Sequence, residues 1–244
     1  MFDPRDGSEF ARTASRLEDS VGSPYEPEVG PMPENDLSES DLENVTKTGT
    51  TIVGITTDEG VVMASDMRAS LAGRVVSNKS VQKVEEIQPN AALSMSGSVG
   101  GAQSYIRTLR AEANLYEARR GEYMSIGALS TMASNLLRGG PFFMVVPILA
   151  GVDDEGAHVY SLDPSGSSLA DDYTAQGSGM PYALGVLEQE YGEDLTMEEA
   201  VTVGAQAIQS ATERDTASGN GIHVTKITES EVDIVGHQDV EDLL

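Results

Sequence analysis

Lys47-Thr48-Gly49-Thr50-Thr51-Ile52-Val53-Gly54-Ile55 is where this chain changes character. Before it, residues 1–49 hold twelve Asp or Glu, four Lys or Arg and five of the ten prolines, with no sustained apolar period of 2 or 3.6. Such a segment cannot bury enough surface to offset its ordering entropy, which predicts a disordered or loosely docked acidic leader. After it, β-branched residues crowd together. A threonine hydroxyl is a poor nucleophile unless a base sits beside it, and one known base is the α-amine of the same residue. Cutting between Gly49 and Thr50 would create that arrangement and make the leader a propeptide, giving a division into 1–49 and 50–244.

Working outward from the junction, residues 51–57 and 61–65 read as a hairpin around the Asp58-Glu59-Gly60 turn. Apolar residues fall on consecutive positions in both strands, as in a sheet covered on both faces. Further strands are expected at 74–77, 81–87 and 91–97. Two helices follow at 100–119 and 124–137, stopped by Gly121 and Gly139-Gly140. Strands return at 142–151, 158–162 and 167–176, then helices at 181–191 and 197–214. The second of these starts in a capping box, Thr196 with Glu199. A hairpin at 222–228 and 232–235 closes the pattern. Strands, two helices, strands, two helices, strands is satisfied by two antiparallel sheets face to face with helix pairs outside: an α+β fold, a four-layer α/β/β/α sandwich.

Composition excludes several functions. Forty acidic against fifteen basic residues give a net charge of −25 over 244 residues, which argues against nucleic acid or an anionic membrane as partner. Only four residues are lysines, Lys47, Lys79, Lys83 and Lys226, a balance suited to a high-salt cytoplasm where screening weakens carboxylate repulsion. No cysteine is present, so neither a disulfide framework nor thiol chemistry is available. No signal peptide is visible, and the longest apolar run, 141–152, is broken by Pro147 and too short to span a bilayer.

Most chemical candidates are weak singly. Thr50-Thr51 is good β sequence, and Asp66 could be a turn former paired to Arg68. Lys83 is less ordinary: it lies within an expected strand beside Val81 and Val84, and if it points to their side its ammonium must be partnered, with Asp66 a candidate. The 96–101 glycine-rich stretch lacks a P-loop lysine and a βαβ setting. Gly177-Ser178-Gly179 looks like half a nucleophile elbow with no histidine to activate it. His158, His223 and His237 have no metal-ligand spacing and read as satisfied structural histidines. No metal site and no cofactor are expected.

Together, the segments do more. Gly49-Thr50-Thr51-Ile52-Val53-Gly54-Ile55, Ala64-Ser65-Asp66-Met67-Arg68, Val81-Gln82-Lys83-Val84, Gly177-Ser178-Gly179 and Arg214-Asp215-Thr216-Ala217-Ser218-Gly219 resemble, in order across residues 50–244, a catalytic proteasome β subunit. The likeness is archaeal, and with this composition haloarchaeal. It implies an N-terminal nucleophile hydrolase: Thr50 as nucleophile, freed by autocatalytic cleavage after Gly49; Lys83 as a cation lowering the amine's pKa; Asp66 holding Lys83; Ser178, Asp215 and Ser218 bonding the amine and positioning water; and the Gly97 N–H as oxyanion donor. A side chain at Gly97 would obstruct the substrate, and a small flexible Gly49 would let its bond turn toward Thr50. The loop between Asp66 and Lys83 is one residue longer than the family spacing, which leaves Lys79 as an alternative lysine.

The resemblance also assigns a pocket to Ala69, Val81, Met95 and Val99, with Ser70 and Gly97 offering backbone bonds to an extended substrate. Small or apolar, uncharged walls predict a chymotrypsin-like preference; Glu85 could add affinity for basic side chains. Implied partners are other β subunits in a seven-membered ring, α-subunit rings, a regulatory ATPase acting through the α ring, and unfolded protein substrates, in the cytoplasm. The alternatives are a non-catalytic structural ring subunit and an amidase of the same nucleophile class acting on small molecules.

Overall fold

The structure, a computed structural model, describes residues 49–244 apart from Ala72, Met95, Pro141 and Phe143. The expected propeptide up to residue 48, and Met95 of the expected pocket, lie outside the described residues.

The hairpin after the junction forms as its sequence dictates. Strands β1 (Thr51–Thr57) and β2 (Gly60–Asp66) pair antiparallel, and Thr57 Oγ1 accepts from the Glu59 and Gly60 N–H groups to shape the turn. Both strands are buried almost throughout, because sheets or helices cover both faces. They sit at the centre of a five-stranded antiparallel sheet in the order β10-β1-β2-β11-β12, with β10 (Tyr173–Gly177), β11 (Ile222–Ile227) and β12 (Val232–His237). A second five-stranded sheet runs β5-β6-β7-β8-β9: β5 (Val84–Gln88), β6 (Ala91–Ser94), β7 (Ile148–Asp153), β8 (Gly156–Leu162) and β9 (Ser168–Asp171). A short hairpin, β3 (Ala69–Leu71) with β4 (Val75–Asn78), stands apart from both.

Three apolar layers hold these pieces. Ile52, Met63, Ile148, Ala150 and Val159 interlock between the sheets. Helices α1 (Val99–Arg120) and α2 (Ile126–Gly139) bury Tyr105, Leu109, Leu129 and Leu137 in the layer that also holds Ile87, Leu93 and Leu149 of the second sheet. Helices α3 (Met180–Glu190) and α4 (Met197–Arg214) bury Leu187, Ala205 and Ile208 in the layer with Val53, Val62 and Val224 of the first. Each fully buried Leu or Ile contributes roughly 1.5–3 kcal/mol. The expected α/β/β/α sandwich is the observed one. Ser98 and Gly121 cap α1, and the Thr196–Glu199 capping box opens α4. Among the described residues, no helix is long and apolar enough to cross a membrane.

The structure corrects three expected strands. Residues 167–176 are not one strand: β9 belongs to the second sheet and β10 to the first, and the chain crosses between them at Asp172, whose carbonyl accepts from Thr56 N. No glycine or proline marks that crossing, so the sequence reads as continuous. The strand expected from 142 begins only at Ile148, after Pro147, which has no N–H for a ladder. The strand expected from 81 begins at Val84, which leaves Lys83 at a strand mouth rather than inside one.

Antiparallel pairing then positions the site. β1 starts, β2 ends, β10 ends and β11 starts at one edge of the first sheet, with Thr51 opposite Gly177 and Asp66 opposite Ile222. In the second sheet β5 starts where β6 ends, with Val84 opposite Ser94. Lys83 therefore enters β5 close to where the chain leaves β6 for Gly97.

Candidate active site

Asp66, the last residue of β2, is fully buried, and both its oxygens are saturated. Oδ1 accepts from Thr51 N at 2.9 Å and Lys83 Nζ at 2.5 Å; Oδ2 accepts from Arg68 N at 3.0 Å and Gly219 N at 2.9 Å. One carboxylate thereby ties together the start of β1, the turn after β2, the loop before β11 and the only described lysine on the cleft. Of the two candidate lysines, Lys83 is buried on Asp66 and Lys79 is exposed. Burial pushes the Lys83 pKa down from its usual value, and the Asp66 charge and hydrogen bond pull against that shift.

A second chain of bonds runs past Thr50, which is itself buried. Its N–H donates to Ser178 Oγ at 3.2 Å, and Ser178 Oγ donates to Asp215 Oδ2 at 2.6 Å. Ser218 Oγ also reaches Asp215 Oδ2, at 2.7 Å, and lies 2.7 Å from Thr51 Oγ1. Ser178 and Ser218 approach from β10 and the loop before β11, and Asp215 caps the C-terminal end of α4. The glycines around Ser178 have a steric cause. Gly177 has φ +99°, and a Cβ there would sit 2.0 Å from the Thr50 carbonyl oxygen; a Cβ on Gly179 would sit 2.0 Å from Thr51 Oγ1.

Gly49 and Thr50 open onto a cleft of about 320 Å³ that Lys83, Gly97, Ala69, Val81 and Val99 also line. Gly97 has φ +99°, and a Cβ there would lie 1.8 Å from the Met144 carbonyl oxygen. Its need to be glycine therefore arises from the backbone behind it, beyond any obstruction of substrate in front. Ser70 is buried in the β3–β4 hairpin and is not part of the cleft wall. The wall is also less apolar than expected: Gln82, Glu85, Gln103, Arg107 and Arg110 form part of it. Glu85 meets Arg110 Nη2 at 3.4 Å, so its charge is already engaged rather than available to a basic side chain.

Sequence reasoning missed three contributors. Thr51 was read only as strand, yet its N–H and hydroxyl join the two bond chains. Arg68 brackets the loop before β11, donating from Nε to Asn220 Oδ1 and from Nη1 to Thr216 O, each at 2.9 Å. Asn220 sits at φ +68°, a left-handed position that asparagine tolerates better than most residues. The histidines differ from one another. His158 bonds Asp153 Oδ1 at 3.0 Å, whereas His223 Nδ1 is buried with no hydrogen-bond partner among the described residues, so it is not the satisfied histidine expected.

Comparison with known proteins identifies the family. The sequence profile described as proteasome subunit matches residues 46–227. A proteasome subunit beta of Halobacterium salinarum is 74% identical over 244 residues, covering all of both chains. Proteasome subunit beta of Natrialba magadii and proteasome subunit beta 1 of Haloterrigena turkmenica are each 61% identical, again over the whole of both chains. Matches of this length take in the cleft residues together with the sandwich that carries them, and the chain belongs to the proteasome subunit family, as a β subunit of the haloarchaeal kind that assembles with other proteasome subunits.

Proposed function

We propose that this β subunit is a threonine endopeptidase of the N-terminal nucleophile type, made as a precursor whose residues 1–49 are a propeptide and whose residues 50–244 are the catalytic domain. The observation that carries this is the line from Thr50 N to Ser178 Oγ to Asp215, set in one cleft with the buried Lys83–Asp66 pair. In maturation Thr50 Oγ attacks the Gly49 carbonyl carbon. The C–N bond breaks, the hydroxyl proton ends on the departing nitrogen, and an ester joins Gly49 to Oγ. Water hydrolyses the ester, leaving a Gly49 carboxylate and a Thr50 with free hydroxyl and free amine.

The freed amine then does the acid–base work. It takes the Oγ proton as Oγ attacks a substrate carbonyl, gives it to the leaving amine, and deprotonates the water that cleaves the acyl ester. The Lys83 cation keeps that amine's pKa low enough for it to act as a base, and Asp66 fixes Lys83. Ser178, held by Asp215, keeps the amine in line; Ser218 steadies Asp215. The Gly97 N–H is assigned to the oxyanion, worth on the order of 3 kcal/mol for such a donor.

Ala69, Val81 and Val99 beside Thr50 favour a hydrophobic residue before the cut, a chymotrypsin-like preference. The working assembly is a seven-membered β ring stacked on α rings and fed unfolded protein by an ATPase in the cytoplasm, with no cofactor. A purely structural subunit has no use for a buried lysine, whose ammonium is costly to desolvate.

The test is the N-terminus and the turnover together. Mass spectrometry of the purified chain is expected to find residues 1–49 gone, and the protein to cleave a fluorogenic peptide with Leu or Tyr before the cut. Thr50→Ala is expected to keep its leader and cleave nothing while still entering the assembly. Turnover by that variant, or by a wild-type chain still carrying its leader, would remove Thr50 as nucleophile.

A further inference from the structure

Gly49 is buried, and its surroundings are more restrictive than a demand for flexibility would require. A Cβ placed on it would lie 1.7 Å from Ala217 Cβ, 2.9 Å from Ala217 Cα and 3.1 Å from Ser178 Oγ. Contacts below 3.0 Å between carbon atoms force something to move. Ala217 is poorly placed to give way. It is buried; its N–H donates to Asp215 Oδ1 at 3.1 Å; the carbonyl just before it, on Thr216, accepts from Arg68 Nη1 at 2.9 Å; and Ser218 N bonds back to Asp215 O at 3.1 Å. Behind it stands the turn of the β3–β4 hairpin, where a Cβ on Gly73 would touch Ala217 Cβ at 3.6 Å. The same carboxylate that holds Ser178 under Thr50 N therefore also holds the Ala217 methyl against the residue preceding the cut.

We infer that Ala217 is the steric gauge of maturation: its methyl, fixed by Asp215 and Arg68, admits only glycine at position 49 and so seats the Gly49 carbonyl beside Thr50. Ala217 is on this account a positioning residue that touches the junction without taking part in the chemistry. The inference rests on the reading that Thr50 is released by cleavage after Gly49. It differs from an account in which Gly49 is needed only for its freedom of rotation, because rotation at position 49 is indifferent to the side chain at 217.

Compensating substitutions in the full-length chain separate the two, with the N-terminal mass followed over time in assembled protein. Gly49→Ala is expected to slow leader removal roughly tenfold or more, since an added methyl meets a fixed one. Gly49→Ala with Ala217→Gly is expected to recover a large part of that loss, not all of it, because Ala217 Cα stays within 2.9 Å. Ala217→Val with Gly49 intact is expected to slow removal as well, by pressing the same contact from the other side. The inference is overturned if the double variant matures no faster than Gly49→Ala, if Gly49→Ala matures at the wild-type rate, or if Ala217→Val does. Rescue and obstruction are independent arms, so a variant that fails to assemble leaves the other arm to decide. A wild-type chain that never loses residues 1–49 overturns the underlying reading; normal wild-type maturation without rescue overturns the gauge alone.

Discussion

The two sheets meet at the cleft with different tasks. The first gathers the strand ends that present Thr50, Asp66 and Ser178, with Asp215 and Ser218 in the loop entering β11. The second offers the paired ends of two strands, with Lys83 entering β5 and Gly97 after β6, together with the cleft wall. Polar groups on the first edge bond one another, so each is fixed by several partners. Lys83 is instead anchored across the gap, by Asp66 of the opposite sheet. The orientation of Thr50 is thus a property of one sheet, while its electrostatics depend on how the two sheets dock.

Breaking the link between the sheets is expected to have the largest effect. Lys83→Ala removes the cation from the cleft and leaves Asp66 buried with three N–H donors but no counter-charge. Peptide turnover is expected to fall by about 10²–10⁴-fold. Stability is expected to fall by about 3–5 kcal/mol, because an uncompensated buried charge remains. Steady-state cleavage and denaturant unfolding measure the two separately. Full activity in Lys83→Ala would show that the second sheet contributes only a wall.

Within the first sheet a loss should be milder, because neighbours remain. Ser178→Ala deletes the acceptor of Thr50 N and one of two hydroxyls on Asp215 Oδ2, while Ser218 stays at 2.7 Å. A hydrogen bond to a charged group contributes about 1.5–3 kcal/mol, so kcat is expected to fall about 10- to 100-fold with KM nearly unchanged. A rise in KM alone would mean that Ser178 binds substrate rather than orienting the nucleophile.

How much of this was legible in the sequence follows the same division. The β1–β2 hairpin was plain because β-branched residues flank an Asp-Glu-Gly turn, and the Lys83–Asp66 pair followed from a lysine amid apolar neighbours. Helix ends were plain where Thr196 and Glu199 mark a cap. What stayed hidden depends on contacts far apart in the chain. Arg68 reaches Asn220 and Thr216 across 152 and 148 residues, and nothing in local pattern reports such a bond. The β9–β10 crossing at Asp172 was invisible for the opposite reason: local pattern there is uniformly strand-like although the chain changes sheets. The charged far wall of the cleft was missed because Arg107 and Arg110 belong to the exposed side of α1 by periodicity, yet the helix lies beside the cleft.

That wall allows a finer test of what the second sheet's side contributes. Arg110 Nη2 meets Glu85 Oε2 at 3.4 Å, and its guanidinium also donates to the Glu86 carbonyl. Glu85→Gln leaves Arg110 in position with its charge uncompensated. The ratio of kcat/KM for a peptide with Glu before the cut to one with Leu is expected to rise about 2- to 5-fold, a modest change because an exposed ion pair is worth roughly 0.2–1 kcal/mol. The rise should shrink as salt is added. An unchanged ratio would place the Glu85–Arg110 pair beyond the reach of substrate.

The smallest effect concerns the space between the sheets. His223 of β11 alternates with Ile222 and Val224, which face α3 and α4, so its ring turns toward the second sheet. Burial pushes its pKa below 6.5, and the Lys83 charge and His237 push the same way against Asp66. With the folded pKa lowered, the unfolded chain binds the proton first as pH falls. Stability on this account is fully present above about 6.5 and lost as pH drops through the folded value. His223 is only half-buried and solvent screens it, so the effect on Tm is expected to be about 1–2 °C. Comparing Tm of wild type and His223→Gln from pH 7.5 to 5 isolates it: the wild type should lose more than the variant over that interval. Parallel curves would mean that the ring reaches enough solvent to titrate as it does in the unfolded chain.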